Sequence, residues 1–190
     1  MARSKEFEIN EVLDKAMHLF WTQGYEKTSM QDLVNYMGIH RRSIYDTFGD
    51  KHALYVKALE RYEAKQISKI KFLTQNQKSI KLVLREMFES TIRKEGEPIG
   101  CFMVNSGVEL GALDPEISSL VNASYIRTEE FLTTLIEAGQ QTGEIKRDLN
   151  PVATALFLMN TWLGLRTLVK TTSDQQKLTS IIDMSLLILD

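Results

Sequence analysis

Two adjacent arginines, Arg41 and Arg42, open a short segment that also carries Ser43, Tyr45, Asp46 and Thr47. Guanidinium groups at the start of an exposed helix could each make a bidentate contact with guanine O6 and N7, worth about 1–3 kcal/mol of discrimination. Ser43 and Thr47 could reach base edges or phosphates. Tyr45 could donate its hydroxyl to a phosphate while its ring packs on the scaffold. Thr28, Ser29 and Lys51 fall at helix starts, where free N–H groups and the helix dipole favour an anion. Asp46 would repel DNA unless it accepts from cytosine N4 or pairs with Arg42, four residues earlier. The same arginines would serve as solvated surface charge, and Tyr45 as core; spacing alone leaves both readings open.

Elsewhere reactive groups are sparse. Cys101 is the single cysteine, which excludes an internal disulfide and a cysteine-based structural zinc site. It follows Pro98-Ile99-Gly100 at an expected helix start, where a thiol could sense oxidants or electrophiles; a small, inert, buried side chain is the alternative. His18, His40 and His52 lie in or beside the arginine-bearing unit, and neither a metal spacing nor a nucleotide-binding loop is present. No enzymatic activity, metal or other cofactor is expected.

The elements that must position these residues are all helical. Apolar residues recur at three- and four-residue spacing, and strand signals are nearly absent. Helices are expected over about 8–23, from Ser29 to Met37, and over 41–48, 51–73, 78–94, 101–111, 114–142, 150–171 and 175–189. The helix over 78–94 should end at Glu95-Gly96-Glu97-Pro98. Gly24 ends the first helix, Ser29 caps the second, and Gly38-Ile39 makes the turn between the second and third. Ile44 and Phe48 define the inner side of the third, so Arg42 and Asp46 point outward at ~100° per residue. The fold class is all-α, with about nine helices. An N-terminal three-helix helix-turn-helix unit over 1–51 precedes a larger helical domain over 52–190.

Charge does not advertise nucleic acid. The net charge is −2, with twelve Lys/Arg against ten Asp/Glu over residues 1–71 and eleven against fifteen over 72–190. DNA contact would have to come from locally placed groups rather than a broad basic face. No apolar run reaches the ~20 residues of a membrane span. The polar start Met1-Ala2-Arg3-Ser4-Lys5-Glu6 does not read as a signal peptide. A reducing cytoplasm is the expected location.

The segment from Phe20-Trp21-Thr22-Gln23-Gly24-Tyr25 through Lys27-Thr28-Ser29-Met30-Gln31-Asp32-Leu33, Met37-Gly38-Ile39 and Ser43-Ile44-Tyr45-Asp46-Thr47-Phe48-Gly49-Asp50-Lys51-His52-Ala53-Leu54 resembles the TetR family of bacterial transcriptional repressors. The resemblance covers about residues 7–54. It implies an N-terminal DNA-binding unit and a larger domain that binds an inducer and dimerises. By motif position, base contacts carry over to Arg41, Arg42, Ser43, Tyr45 and Thr47, and phosphate contacts to Thr28, Ser29, Tyr45 and Lys51. Two departures bear on the operator sequence: Arg42, where the family often has a small residue, and Asp46, where an aromatic or His is frequent.

Beyond residue 72 the resemblance is faint; Gly100-Cys101-Phe102 is similar to the start of the pocket helix in some members. The last two helices are broadly apolar, through Ala155, Leu156, Leu158, Met159, Trp162, Leu163, Leu165 and Leu168, then Ile181, Ile182, Met184, Leu186, Leu187 and Leu189. Similarity to the family implies that they pair with a second copy in a four-helix bundle, giving a homodimer. Candidate ligand-lining residues are Phe88, Cys101, Met103, Asn105, Tyr125, Phe131, Met159, Trp162 and Arg166, a set suited to an apolar or aromatic inducer. The expected function is a ligand-responsive transcriptional repressor that binds a pseudo-palindromic double-stranded operator as a dimer. The alternative is a regulator that senses redox or electrophiles through Cys101.

Overall fold

The computed structural model describes residues 8–74, 79–92 and 98–190, and among these the only regular elements are helices. They are Ile9–Gln23 (α1), Met30–Met37 (α2), Arg41–Phe48 (α3), Lys51–Thr74 (α4), Ile80–Glu89 (α5), Phe102–Leu110 (α6), Pro115–Thr142 (α7), Pro151–Leu168 (α8) and Gln175–Leu186 (α9), with a 3-10 turn at Leu187–Leu189. None is long and apolar enough to cross a membrane.

Local chemistry sets most of these boundaries. Asp114 Oδ1 accepts the N–H groups of Glu116 and Ile117 at 3.0 and 3.1 Å, so α7 begins at Pro115, whose missing N–H costs nothing in the first turn. Asn150 caps α8 in the same way, its Oδ1 accepting from Ala153 at 2.9 Å ahead of Pro151. Ser79 caps α5 through the Leu82 N–H. α5 stops earlier than its periodicity suggests: turns at Ser90–Ile92, tied by Thr91 and Ile92 N–H bonds to Phe88 and Glu89 carbonyls, take over. The expected end of that helix at 95–97, and its first residue, 78, lie outside the described residues. α8 likewise closes at Leu168 in a turn over 169–171 rather than continuing to 171.

One hydrophobic core joins α1, α2, α3 and the first half of α4 to α6 and the start of α7, through residues such as Phe20, Leu33, Ile44, Tyr55, Leu59, Phe102 and Ile117. The unit expected over 1–51 therefore shares its interior with residues of the larger domain expected after it. A second core, with Leu84, Phe88, Ile136, Leu158, Trp162 and Ile182 at its centre, fills the space among α5, α7, α8 and α9.

The apolar surplus of α8 and α9 is narrower than the sequence suggests. Ala155, Leu158, Met159, Trp162, Leu165, Ile182, Leu186 and Leu189 are buried within the chain. Leu156, Met184 and Leu187 remain exposed, joined by Val152, Phe157 and Ile188.

Candidate nucleic-acid interface and ligand cavity

The helix-turn-helix is held by a reciprocal cap and a left-handed turn. Ser29 Oγ accepts from the Asp32 N–H at 3.1 Å while Asp32 Oδ2 accepts from the Ser29 N–H at 2.9 Å. Hydrogen bonds from Ser29 hold the Asp32 carboxyl below its ordinary value. α2 ends at Gly38, whose φ of +73° suits a residue without Cβ, and its N–H bonds to the Val34 carbonyl at 3.1 Å. α3 then packs Ile44 and Phe48 inward.

The opposite side of α3 carries the chemistry. Arg41, Arg42, Tyr45 and Asp46 are exposed, and Ser43 and Thr47 are half-buried. Arg42 Nε lies 3.6 Å from Asp46 Oδ2 with both side chains largely in solvent, so the pair orients the guanidinium more than it stabilises the helix. Arg41 reaches over Tyr45, 5.8 Å from the ring centroid and 3.5 Å from the hydroxyl. The Tyr45 ring thus sits outside, beside Arg41, rather than against the scaffold. Lys51 opens α4 with its Nζ 4.1 Å from the Tyr25 ring centroid.

Thr28 takes a different place from the one its motif position implies. Its side chain is fully buried, and its hydroxyl donates to the Gly24 carbonyl at 2.6 Å. That hydroxyl braces the α1–α2 loop and is not at the surface, where the motif position would have it meet a phosphate.

Links between the two units come from residues whose linking role has no signal in the sequence. Glu109, near the end of α6, accepts the backbone N–H groups of Tyr25 and Glu26 at 3.0 and 2.9 Å. His52 Nε2 lies 2.7 Å from Asp114 Oδ2. Tyr55 and Ser106 share a buried hydroxyl contact of 2.7 Å. The partners are 51 to 84 residues apart in the chain, so no local pattern signals them.

Two adjoining cavities, about 770 and 320 Å³, lie among the helices behind this junction. Tyr62, Trp162 and Arg166 line both. Cys101 lines the larger, and Met103, Tyr125, Phe131 and Met159 the smaller. Two expected lining residues stand elsewhere: Phe88 is buried in the second core beside Trp162, and Asn105 accepts from Lys170 Nζ at 3.0 Å. Trp21 and Tyr62 also line the larger cavity, beyond the residues expected from the sequence. Cys101 is the N-cap of α6 and buried; its Sγ accepts from the Tyr62 hydroxyl at 3.3 Å and from Arg166 at 3.2 Å. Among the described residues no group of three or more His, Cys, Asp or Glu could hold a metal ion.

Known proteins match this arrangement over the whole chain. Residues 12–58 match the family model for bacterial regulatory proteins of the tetR family, and residues 82–184 the model for a tetracyclin repressor-like C-terminal domain. The chain is 32% identical over 195 residues to the uncharacterized HTH-type transcriptional regulator YezE of Bacillus subtilis (strain 168), covering all of both chains. It is 31% identical to the HTH-type transcriptional repressor ComR of Escherichia coli (strain K12), over 82% of this chain and 76% of that one. Its fold is similar to a cysteine mutant of the TetR family regulator CifR complexed with 26-bp double-strand operator DNA, with a TM-score of 0.86, 21% identity and full coverage of both chains. It is also similar to the reduced form of E. coli NemR, with a TM-score of 0.84, 19% identity, and 95% and 96% of the two chains covered. With both units matched in order, the chain belongs to the tetR family of bacterial regulatory proteins and is a transcriptional regulator rather than an enzyme.

Proposed function

We propose that the protein is a homodimeric repressor that binds a pseudo-palindromic operator and releases it when a small molecule enters the cavity behind the head. The observation that carries this reading is the outer side of α3: Arg41, Arg42 and Tyr45 stand exposed on a helix whose inner side is locked by Ile44 and Phe48. A helix fixed from behind and polar in front fits the ~12 Å major groove. Arg41, Arg42, Ser43, Tyr45 and Thr47 are assigned to bases and nearby phosphates, and Ser29 and Lys51 to the phosphate backbone. Similarity to CifR, whose complex contains operator DNA, agrees with this assignment.

The exposed apolar residues of α8 and α9 support pairing of two copies, which would place two α3 helices about one DNA turn apart. The cavities lie within the volume range of small-molecule sites, and their aromatic and Met lining suits an apolar or aromatic inducer. A ligand there would bear on α4, which runs from the head into the cavity wall. The cytoplasm, where operator DNA is accessible, is the assigned location.

Selection from random duplexes at ~100 mM salt tests the reading, since specific binding normally persists there. A single preferred pseudo-palindrome, lost in Arg42→Ala with Tyr45→Phe while the dimer persists, is the expected result. No preferred sequence would overturn it.

A second reading, thiol sensing, is favoured by the bonds from Tyr62 and Arg166 to Cys101 Sγ in the cavity wall. Two similar structures bear on it, one described as a cysteine mutant and one as a reduced form. Release of the operator by N-ethylmaleimide in the wild type but not in Cys101→Ser would support it; equal release in both would overturn it.

A further inference from the structure

Arg166 is the unusual group in the cavity lining. Its guanidinium carbon lies 3.6 Å from the Trp162 ring centroid, stacked on the indole, and it lines both chambers. A guanidinium has five N–H donors, and a partly buried one is ordinarily matched by a carboxylate. Arg166 is ion-paired with none of the described carboxylates. Its partner is Cys101 Sγ at 3.2 Å, a weak acceptor. Three carboxylates line the chambers, and each is otherwise engaged: Glu63 is held by Arg127 at 2.6 Å, Glu89 by Arg85 at 3.5 Å, and Glu86 also has a partner.

A second donor in the same wall is also unmatched. Trp162 is only 3% exposed, and its indole N–H has no hydrogen-bond partner. A buried N–H without an acceptor is costly enough to be rare in folded proteins. The indole N–H of Trp21, in the larger chamber's lining, is buried and unpartnered as well. Neither nearby tyrosine supplies an anion: burial pushes Tyr62 well above its ordinary value and Tyr125 up to about 12. Among the described residues, no carboxylate of the wall is bonded to Arg166 or to either indole N–H. The chambers themselves are largely apolar, through Ile70, Leu73 and Met87 on one side and Ile67, Phe131 and Met159 on the other.

We propose that the cavity binds a small organic carboxylate, its head group on Arg166 and the Trp162 indole N–H and its apolar body in the adjoining chamber. This rests on the ligand-responsive reading above and narrows the inducer to an anionic class. The head group would replace Cys101 Sγ as the acceptor for Arg166, exchanging a weak hydrogen bond for a charge-assisted one.

The test uses the protein's own tryptophans, since Trp21 and Trp162 are the two it has and both line the larger chamber. Benzoate, 3-phenylpropanoate and decanoate, each beside its neutral amide, are titrated into the full chain with tryptophan emission and thermal midpoint as readouts. At least one acid is expected to give a saturable change and to bind about tenfold or more tightly than its amide, the scale of one charge-assisted contact. Arg166→Gln should bring acid and amide within about twofold of each other, and Arg166→Lys should retain part of the preference, with unchanged far-ultraviolet circular dichroism in both. Equal affinity of acids and amides, no saturable binding of any acid, or a preference that survives in Arg166→Gln would overturn the proposal. Release of the selected duplex by acids and amides alike would remove the anionic head yet leave ligand-responsive repression standing. Failure to select any duplex would instead remove the repressor reading, whatever the acids do in the cavity.

Discussion

Glu109 holds the backbone of Tyr25: its Oε2 accepts that residue's N–H at 3.0 Å, and its Oε1 takes the next N–H at 2.9 Å. One carboxylate on α6 thus satisfies two loop donors just ahead of the helix-turn-helix. Glu109→Ala should leave both without a protein acceptor and lower stability by about 1–2 kcal/mol, a fall in melting temperature of about 2–8 °C for a chain of this size. Amide hydrogen exchange at Tyr25 and Glu26 should accelerate in step. Unchanged protection at both amides would mean that the bonds do not persist in solution.

Gly24 lies against the same carboxylate. Its φ is +85°, and a Cβ added there would come within 2.9 Å of Glu109 Oε2. Gly24→Ala should therefore cost about 1–3 kcal/mol through backbone strain and crowding together. Combined with Glu109→Ala, it should cost less than the sum of the two, because removing the carboxylate removes the crowding. Additive urea midpoints would contradict this.

Lys51 and Arg42 should differ in kind. Arg42→Ala should weaken the preferred duplex by about 1–3 kcal/mol and relax selectivity at one base position. Lys51→Ala should weaken all duplexes alike and reduce the slope of log affinity against log salt by about 1. Binding isotherms at several salt concentrations separate the two; a loss of selectivity in Lys51→Ala would reverse its assignment.

The apolar patch of α8 and α9 offers a direct test of pairing. Phe157→Glu with Met184→Glu places charge on an exposed face and should leave the helical content intact. Light scattering should show a monomer, and operator affinity should collapse with it. A dimer that survives both substitutions would place the interface elsewhere.

Acid should loosen the brace between α1 and α4. Asp14 accepts from Arg61 at 2.9 and 3.2 Å and pairs with Lys65 at 2.7 Å. The Arg61 hydrogen bonds above all hold its carboxyl below the ordinary aspartate value. A depressed value in the folded state means that the stabilisation is present above the ordinary value. It is lost as pH falls through the folded one. Asp14→Asn should thus be destabilising at pH 7, and the gap from wild type should narrow below about pH 4. A gap that widens in acid would contradict the sign.

The helices were legible in the sequence because their signals are local. Asp114 and Asn150 each stand ahead of a proline, Ser29 stands three residues before Asp32, and the apolar spacing does the rest. Exposure of Arg42 and burial of Ile44 followed from the helical period alone. Thr28 did not follow, since its hydroxyl has two possible uses at a helix start and tertiary structure turns it to Gly24. Nor could Phe88 be told from Phe131. Both are apolar helical residues, and only three-dimensional packing decides which meets a core and which meets a void. Glu109 was out of reach for a different reason: its partners are backbone groups, which carry no residue identity.

α6 spans nine residues, about 13 Å of rod, with Cys101 capping its start in the cavity wall and Glu109 gripping the head's loop near its end. On the proposed reading, what the protein recognises and what it moves lie at opposite ends of one short lever. Side chains around the first end can be exchanged to suit a new molecule while the grip at the second stays as it is. Such a division would let one mechanical output serve successive chemical vocabularies.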